Sequence, residues 1–267
     1  MRHLLRSWGE VRRRIAGRDA ALFLDFDGTL APIARTPAGA SCPAETRALL
    51  RRLAAAPGVT VAIVSGRALR DVRRRVGLRG IVYVGCHGLE IEGPGMRRAV
   101  FASREGRAAV AKVRRALSRA AGRIPGALIE DKGCSCALHY RLVAAGNRPR
   151  VKALLRDATA GAVRRGAVRL KRGKMVLEIL PPADWDKGSA VLWIEERLRR
   201  RSGARGLVPV YIGDDLTDEA AFRSFRRRRI TARVGNARRS DARYRLRDTR
   251  EVRRFLDLFL AERSCSR

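Results

Sequence analysis

Short apolar runs recur along the chain and alternate with stretches of helical period. Residues 20–24, 59–64, 81–84 and 208–212 are mostly apolar on successive positions, as expected of strands covered on both faces, and 230–235 reads as a late strand. Helices are predicted between them near 43–55, 68–76, 188–201, 218–226 and 251–260. In the last of these Val252, Phe255, Leu256 and Phe259 share one face. Leu4, Trp8, Val11 and Ile15 make a similar stripe at the start. Strands alternating with helices predict an α/β fold with a doubly wound, Rossmann-like parallel sheet.

Between 98 and 180 the rhythm changes to helix 102–121, strands 127–132 and 135–141, helix 147–163, and strands 167–171 and 174–180. This α-β-β-α-β-β order predicts an inserted α+β domain at 98–180, with 1–97 and 181–267 forming the core domain. Ile129, Leu138, Met175, Leu177 and Ile179 fall on one side of their strands. Glu130, Lys132, His139, Arg141, Lys174 and Glu178 fall on the other. A polar outer face is ordinary for an antiparallel sheet. It also suits a sugar, whose hydroxyls donate and accept hydrogen bonds, and the residues leave both readings open.

Composition adds one unusual feature. The hydrophobic share of 46% is that of a globular protein, but the net charge is +33. Six of the 59 basic residues are lysines and 53 are arginines. Such a field attracts phosphates, nucleic acid and anionic membranes. Specific nucleic-acid recognition is not expected, because aromatics are only 5% and the arginine runs are dispersed along helical stretches. The five cysteines are an odd number without a secretory signal, so a reducing, cytoplasmic setting is expected. Cys134 and Cys136 lack a second ligand pair at metal spacing and are expected to pack. No apolar run approaches the roughly 20 residues of a membrane helix.

The candidate chemistry lies where strands end, the place open α/β sheets keep their ligands. The first run ends in Asp25-Phe26-Asp27-Gly28-Thr29, the second in Ser65-Gly66-Arg67, and 208–212 in Gly213-Asp214-Asp215-Leu216-Thr217-Asp218-Glu219. Lys187 opens a helix. Singly, each has a bland reading. Asp-Gly makes turns, Ser65 would cap a helix, Lys187 would sit on a surface, and acids such as Asp218 and Glu219 suit a first helical turn.

As a set, these four sites resemble the haloacid dehalogenase-like phosphatases. The GDDLTDE form and the insertion between Arg67 and Lys187 resemble, within them, the trehalose-6-phosphate phosphatases. The resemblance implies Mg²⁺-dependent hydrolysis of trehalose 6-phosphate to trehalose and phosphate through an aspartyl-phosphate. A phosphate monoester is nearly a dianion at neutral pH, so a carboxylate nucleophile needs a cation to offset repulsion, and hard oxygen ligands select Mg²⁺. Asp25 would be the nucleophile and Asp27 the general acid and base, with Ser65 and Lys187 on the phosphoryl oxygens. Asp25, the backbone carbonyl of Asp27, and Asp214 would hold the metal, with Thr29, Asp215 and Asp218 as auxiliaries. Arg67 and the set Glu130, Lys132, His139, Arg141, Lys174 and Glu178 would bind substrate. A small sugar phosphate is the implied partner, and a monomer with no membrane attachment is expected. Cys86 stands where relatives often carry Asn or Glu, and His87 is given a hydrogen-bonding place without a catalytic step. Sucrose or mannosylglycerate phosphates, or a phosphosugar mutase reaction, are the alternatives on the same chemistry. A basic nucleic-acid-binding protein on an inactive scaffold is the alternative from another class, against which the intact Asp25, Asp27, Lys187 and Asp214 set argues.

Overall fold

The computed structural model describes residues 1–34, 36–173, 175–203, 206–225, 229–237 and 239–265, with the side chains of 97–100 and 265 set aside. Two compact units emerge, Met1–Ala99 with Trp185–Arg267, and Val100–Asp184.

The larger unit is built on a mixed sheet. Among the described residues its order is β1 (Arg2–His3), β13 (Tyr244–Leu246), β12 (Ile230–Val234), β11 (Leu207–Gly213), β2 (Asp19–Asp25), β3 (Val59–Val64), β4 (Val82–Gly85), β5 (Glu90–Gly93) and β6 (Met96–Val100). Every pairing from β1 across to β4 is parallel. The edge from β5 onward breaks the expected parallel pattern, because β5 returns antiparallel on β4. Its alternating Glu90-Ile91-Glu92 and the following Gly-Pro-Gly are hairpin signals that a search for buried parallel strands passes over.

Strand β2 sits between β3 and β11, with Leu22 opposite both Val61 and Val210. Residues 20–25 are all buried, which explains their unbroken apolar run. Leu22 and Leu24 enter one core layer with Val61, Ile63, Val210 and Ile212, under α1 (Trp8–Ile15), α2 (Ala44–Ala55), α3 (Leu69–Val76) and α8 (Thr249–Cys265). On the opposite face Phe23 meets Phe225 edge-on at 5.7 Å and Tyr211 meets Phe222 at 5.6 Å. That side carries α6 (Lys187–Ser202) and α7 (Glu219–Ser224). From β2 the chain moves outward through β3 and β4, and β11, β12 and β13 extend the other way. The reversal at β2 creates the crevice at the strand ends where such sheets bind ligands.

The smaller unit is antiparallel, in the order β7 (Leu128–Asp131), β8 (Cys136–His139), β10 (Val176–Leu180), β9 (Arg169–Gly173). Ile129, Leu138 and Leu177 stand in one cross-strand row. They pack under α4 (Arg104–Ala121) and α5 (Arg148–Arg164), through Val110, Val113, Leu117, Val151 and Leu155. Ser103 caps α4 by accepting from the Gly106 N–H at 2.9 Å. Two expectations need correction. Met175 is not on a strand face but has φ +65 in the turn before β10, and the helix expected from 218 begins at Glu219, after a 3-10 turn over Leu216–Asp218. Among the described residues no helix is long and apolar enough to cross a membrane.

Candidate active site

The carboxyl end of β2 and its neighbours brings four separate sequence stretches together. Asp25 is the last residue of β2, and its neighbour β11 delivers Gly213 and then Asp214. Two glycines make room. Gly28 has φ +85, and a Cβ there would lie 2.4 Å from the Asp214 carboxylate. A Cβ on Gly213 would lie 2.4 Å from Asp218 Cγ. Any side chain at either place would push an acid out of position.

Lys187 enters from the first residue of α6, whose N-terminus is set by Asp186 accepting from the Ser189 N–H at 2.9 Å. Its ammonium donates to Asp25 Oδ1 at 2.6 Å and Asp218 Oδ1 at 2.7 Å, with all three side chains buried. Asp218 also accepts from the Tyr211 hydroxyl at 2.7 Å and the Asp215 N–H at 2.9 Å. Sequence reasoning placed Asp218 among auxiliaries and weighed it as a helix-start acid, but its side chain is wholly enclosed. Asp215 turns the other way and caps the 3-10 turn through the Leu216 N–H. Tyr211 was missed altogether. Its signal was a single hydroxyl-bearing residue inside an otherwise apolar strand run.

Electrostatics follow from burial. Burial would discharge Lys187, but Asp218 and Asp25 outweigh it and hold the ammonium well above the usual lysine range. Burial raises the Asp25 carboxyl well above its ordinary value; Lys187 opposes this, while Asp218 and Asp214 add to it. Asp218 is itself lowered, because Lys187, the Asp215 N–H and the Tyr211 hydroxyl overcome its burial. Asp25, Asp214 and Asp218 offer oxygens all within 4.8 Å of one another. Three carboxylates around one ammonium leave excess buried negative charge, and an all-oxygen donor set fits a hard divalent cation.

Ser65 is buried, and its Oγ accepts from the Arg67 N–H at 3.1 Å, which leaves the hydroxyl proton to donate. Thr29 is buried, and its hydroxyl has no hydrogen-bond partner among the described residues. Asp27 is not in the carboxylate cluster. Its two oxygens accept from Arg67 Nε and Nη2, each at 2.7 Å. His87 and Cys86 both have positive φ in the buried turn after β4. Their N–H groups donate to the carbonyls of Ser65 and Arg67, so this turn braces the Ser65 loop.

In the smaller unit, Glu130 accepts from His139 Nε2 at 2.8 Å, and Lys132 donates to Glu178 at 2.5 Å. The register puts Glu130 and Glu178 on either side of Ala137, and Lys171 opposite Glu178. Lys171 was not anticipated, although its place two residues before Gly173 gives it the parity of this face. Arg141 lies just beyond β8 and is exposed. Lys174 lies outside the described residues.

The fold is the one seen in haloacid dehalogenase-like hydrolases. A haloacid dehalogenase-like hydrolase from B. subtilis superposes with TM-score 0.58 at 14% identity, over 89% of this chain and 98% of that one. The C-terminal domain of a C. albicans trehalose-6-phosphate phosphatase superposes with TM-score 0.80 at 24% identity, over 97% and 98%. The chain belongs to the trehalose-phosphatase family, whose sequence model matches residues 23–250. It is 43% identical over 213 residues to the trehalose-phosphate phosphatase of Mycobacterium avium, covering 79% of this chain and 53% of that protein. The chain thus spans about half the length of the curated relatives it matches.

Proposed function

We propose that this chain is a Mg²⁺-dependent phosphatase that hydrolyses trehalose 6-phosphate to trehalose and phosphate. The observation that carries the reading is the buried Asp25, Asp214 and Asp218 cluster, with Lys187 bridging Asp25 and Asp218 and Asp27 two residues past the nucleophile, in a chain of this family.

Asp25 attacks phosphorus, forming the aspartyl–phosphate bond as the bond to the sugar oxygen breaks. Asp27 gives that oxygen a proton as it leaves, then accepts one from the water that attacks the phospho-aspartate, which releases phosphate and restores Asp25. Asp27 is suited to this traffic because 37% of its side chain stays exposed beside a buried nucleophile. Lys187 spends two of its three N–H donors on Asp25 and Asp218, and the third serves a phosphoryl oxygen. The free proton of Ser65 serves another. Asp25, Asp214, Asp218 and the Asp27 carbonyl would hold Mg²⁺, which when bound neutralises charge between carboxylate and phosphoryl oxygens. The sheet face of the smaller unit, carrying Glu130, Lys132, His139 and Glu178, is read as the sugar-recognising cap surface. Its paired donors and acceptors can be exchanged for sugar hydroxyls.

The test is phosphate release across a panel of sugar phosphates with and without Mg²⁺. Trehalose 6-phosphate should be turned over best and only with the metal. Preference for sucrose or mannosylglycerate phosphates would redirect the substrate reading, and no release from any would end the phosphatase reading.

A further inference from the structure

We infer that Arg67 is a positioning residue for the proton-transferring carboxylate of Asp27, and that it does not bind substrate. The inference rests on the phosphatase reading above. Arg67 is nearly enclosed, with a relative exposure of 7%. Its fork meets Asp27 with two parallel bonds of 2.7 Å, the geometry that fixes both distance and plane of a carboxylate. The remaining donor, Nη1, goes to the Pro37 carbonyl at 3.0 Å and Asp71 Oδ2 at 2.9 Å. The guanidinium also lies 5.6 Å from the Phe26 ring centroid. Every guanidinium nitrogen of Arg67 is therefore bonded within the protein, and four of its five N–H donors are spent there.

The arrangement continues outward. Arg75 Nε donates to the same Asp71 oxygen at 2.7 Å, and Arg75 Nη1 donates to the carbonyls of Ala38 and Ala40. Asp27 is thus tied through Arg67, Asp71 and Arg75 to the 37–40 segment. Each Asp27 oxygen keeps a second lone pair beside its Arg67 bond, so the carboxyl can pass a proton while the fork holds its plane.

The test is a double-variant cycle on trehalose 6-phosphate in saturating Mg²⁺. Arg67→Lys, which can keep only one contact, should lower kcat about tenfold with KM within about twofold. Arg67→Met should lower it further, and Arg75→Met, remote from the site, by about two- to fivefold. In an Asp27→Asn background all three should have no further effect, since residues acting through one group are not additive. With p-nitrophenyl phosphate, whose leaving group needs no proton, the rate of phosphoenzyme formation should be nearly unchanged in Arg67→Lys. A raised KM, or losses that multiply with Asp27→Asn, would overturn the positioning role while leaving the phosphatase reading intact. A wild-type chain inactive on every sugar phosphate overturns the reading and this inference together. Should Arg67→Met fail to fold, Arg67→Lys and Arg75→Met decide the outcome.

Discussion

Lysine–carboxylate contacts stand at the centre of both units, and their charge balance differs. In the larger unit Lys187 faces Asp25 and Asp218 with Asp214 close by, and the side chains of the bonded three are at most 7% exposed. In the smaller unit Lys132 faces Glu178, and His139 faces Glu130 at about one-fifth exposure. The first site is short of positive charge where water cannot supply it, so it calls for a cation and a reactive anion. The second sets basic groups beside each glutamate, a mixture of donors and acceptors that suits ligand hydroxyls. In the proposed function the imbalance belongs to the reacting phosphoryl group and the paired charges to the sugar.

The contrast breaks most directly at Asp25. Asp25→Asn should lower phosphate release by about a thousandfold or more, as loss of a nucleophile does, while the circular dichroism spectrum stays native. Release at the wild-type rate would show that the imbalance has no catalytic meaning.

Lys187→Met should be next in size. It leaves two buried acids without their shared cation, an uncompensated charge costing about 3–5 kcal/mol, and denaturant midpoints would report it. Mg²⁺ should raise the melting temperature of the wild type and do much less for Asp214→Asn. Equal shifts in both proteins would place the cation elsewhere.

Glu178→Gln tests the second site. Trehalose 6-phosphate hydrolysis should fall by about ten- to a hundredfold in kcat/KM, since a polar site loses discrimination when a partner is removed. Hydrolysis of p-nitrophenyl phosphate should change less than about twofold. A parallel fall in both would make Glu178 a residue of general structure.

The smallest effect concerns acid stability. Burial works against the Asp71 carboxylate, but bonds from Arg75 and Arg67 win and hold it below its usual value. A carboxyl lowered in the folded state stabilises above its unfolded value and loses that contribution as pH falls through the folded value. The stability gap between wild type and Asp71→Asn should therefore be constant at neutral pH and close below about pH 4. A gap that persists at lower pH would show that Asp71 acts by packing.

Much of the larger unit was legible. The run through Leu22–Leu24, the Gly28 turn and the Asp214 loop carried local signals, because a strand buried on both faces cannot vary its polarity and a close approach admits only glycine. Asp218 was harder. Its position looked like a helix-start acid, and only the meeting with Lys187 and Tyr211 turns it into a member of the cluster. The resemblance puts Arg67 with the substrate group. The packing of α3 against the 37–40 segment and Asp27 commits its fork elsewhere. In the smaller unit strand parity put Glu130, Lys132 and Glu178 on one face, but Met175 shows how a positive φ interrupts that count.

The sequence by itself determined the α/β core, the main strand–helix order and the acids and glycines that end its strands, since these follow from polarity period and from glycine and carboxylate placement. Tertiary structure alone decided which charges pair. Lys187 stands 162 residues from Asp25, and Arg67 stands 40 from Asp27. A contact across such separations depends on strand order and helix packing, which no local pattern contains. It decides the electrostatics because Coulomb energy depends on distance and burial, not on position in the chain.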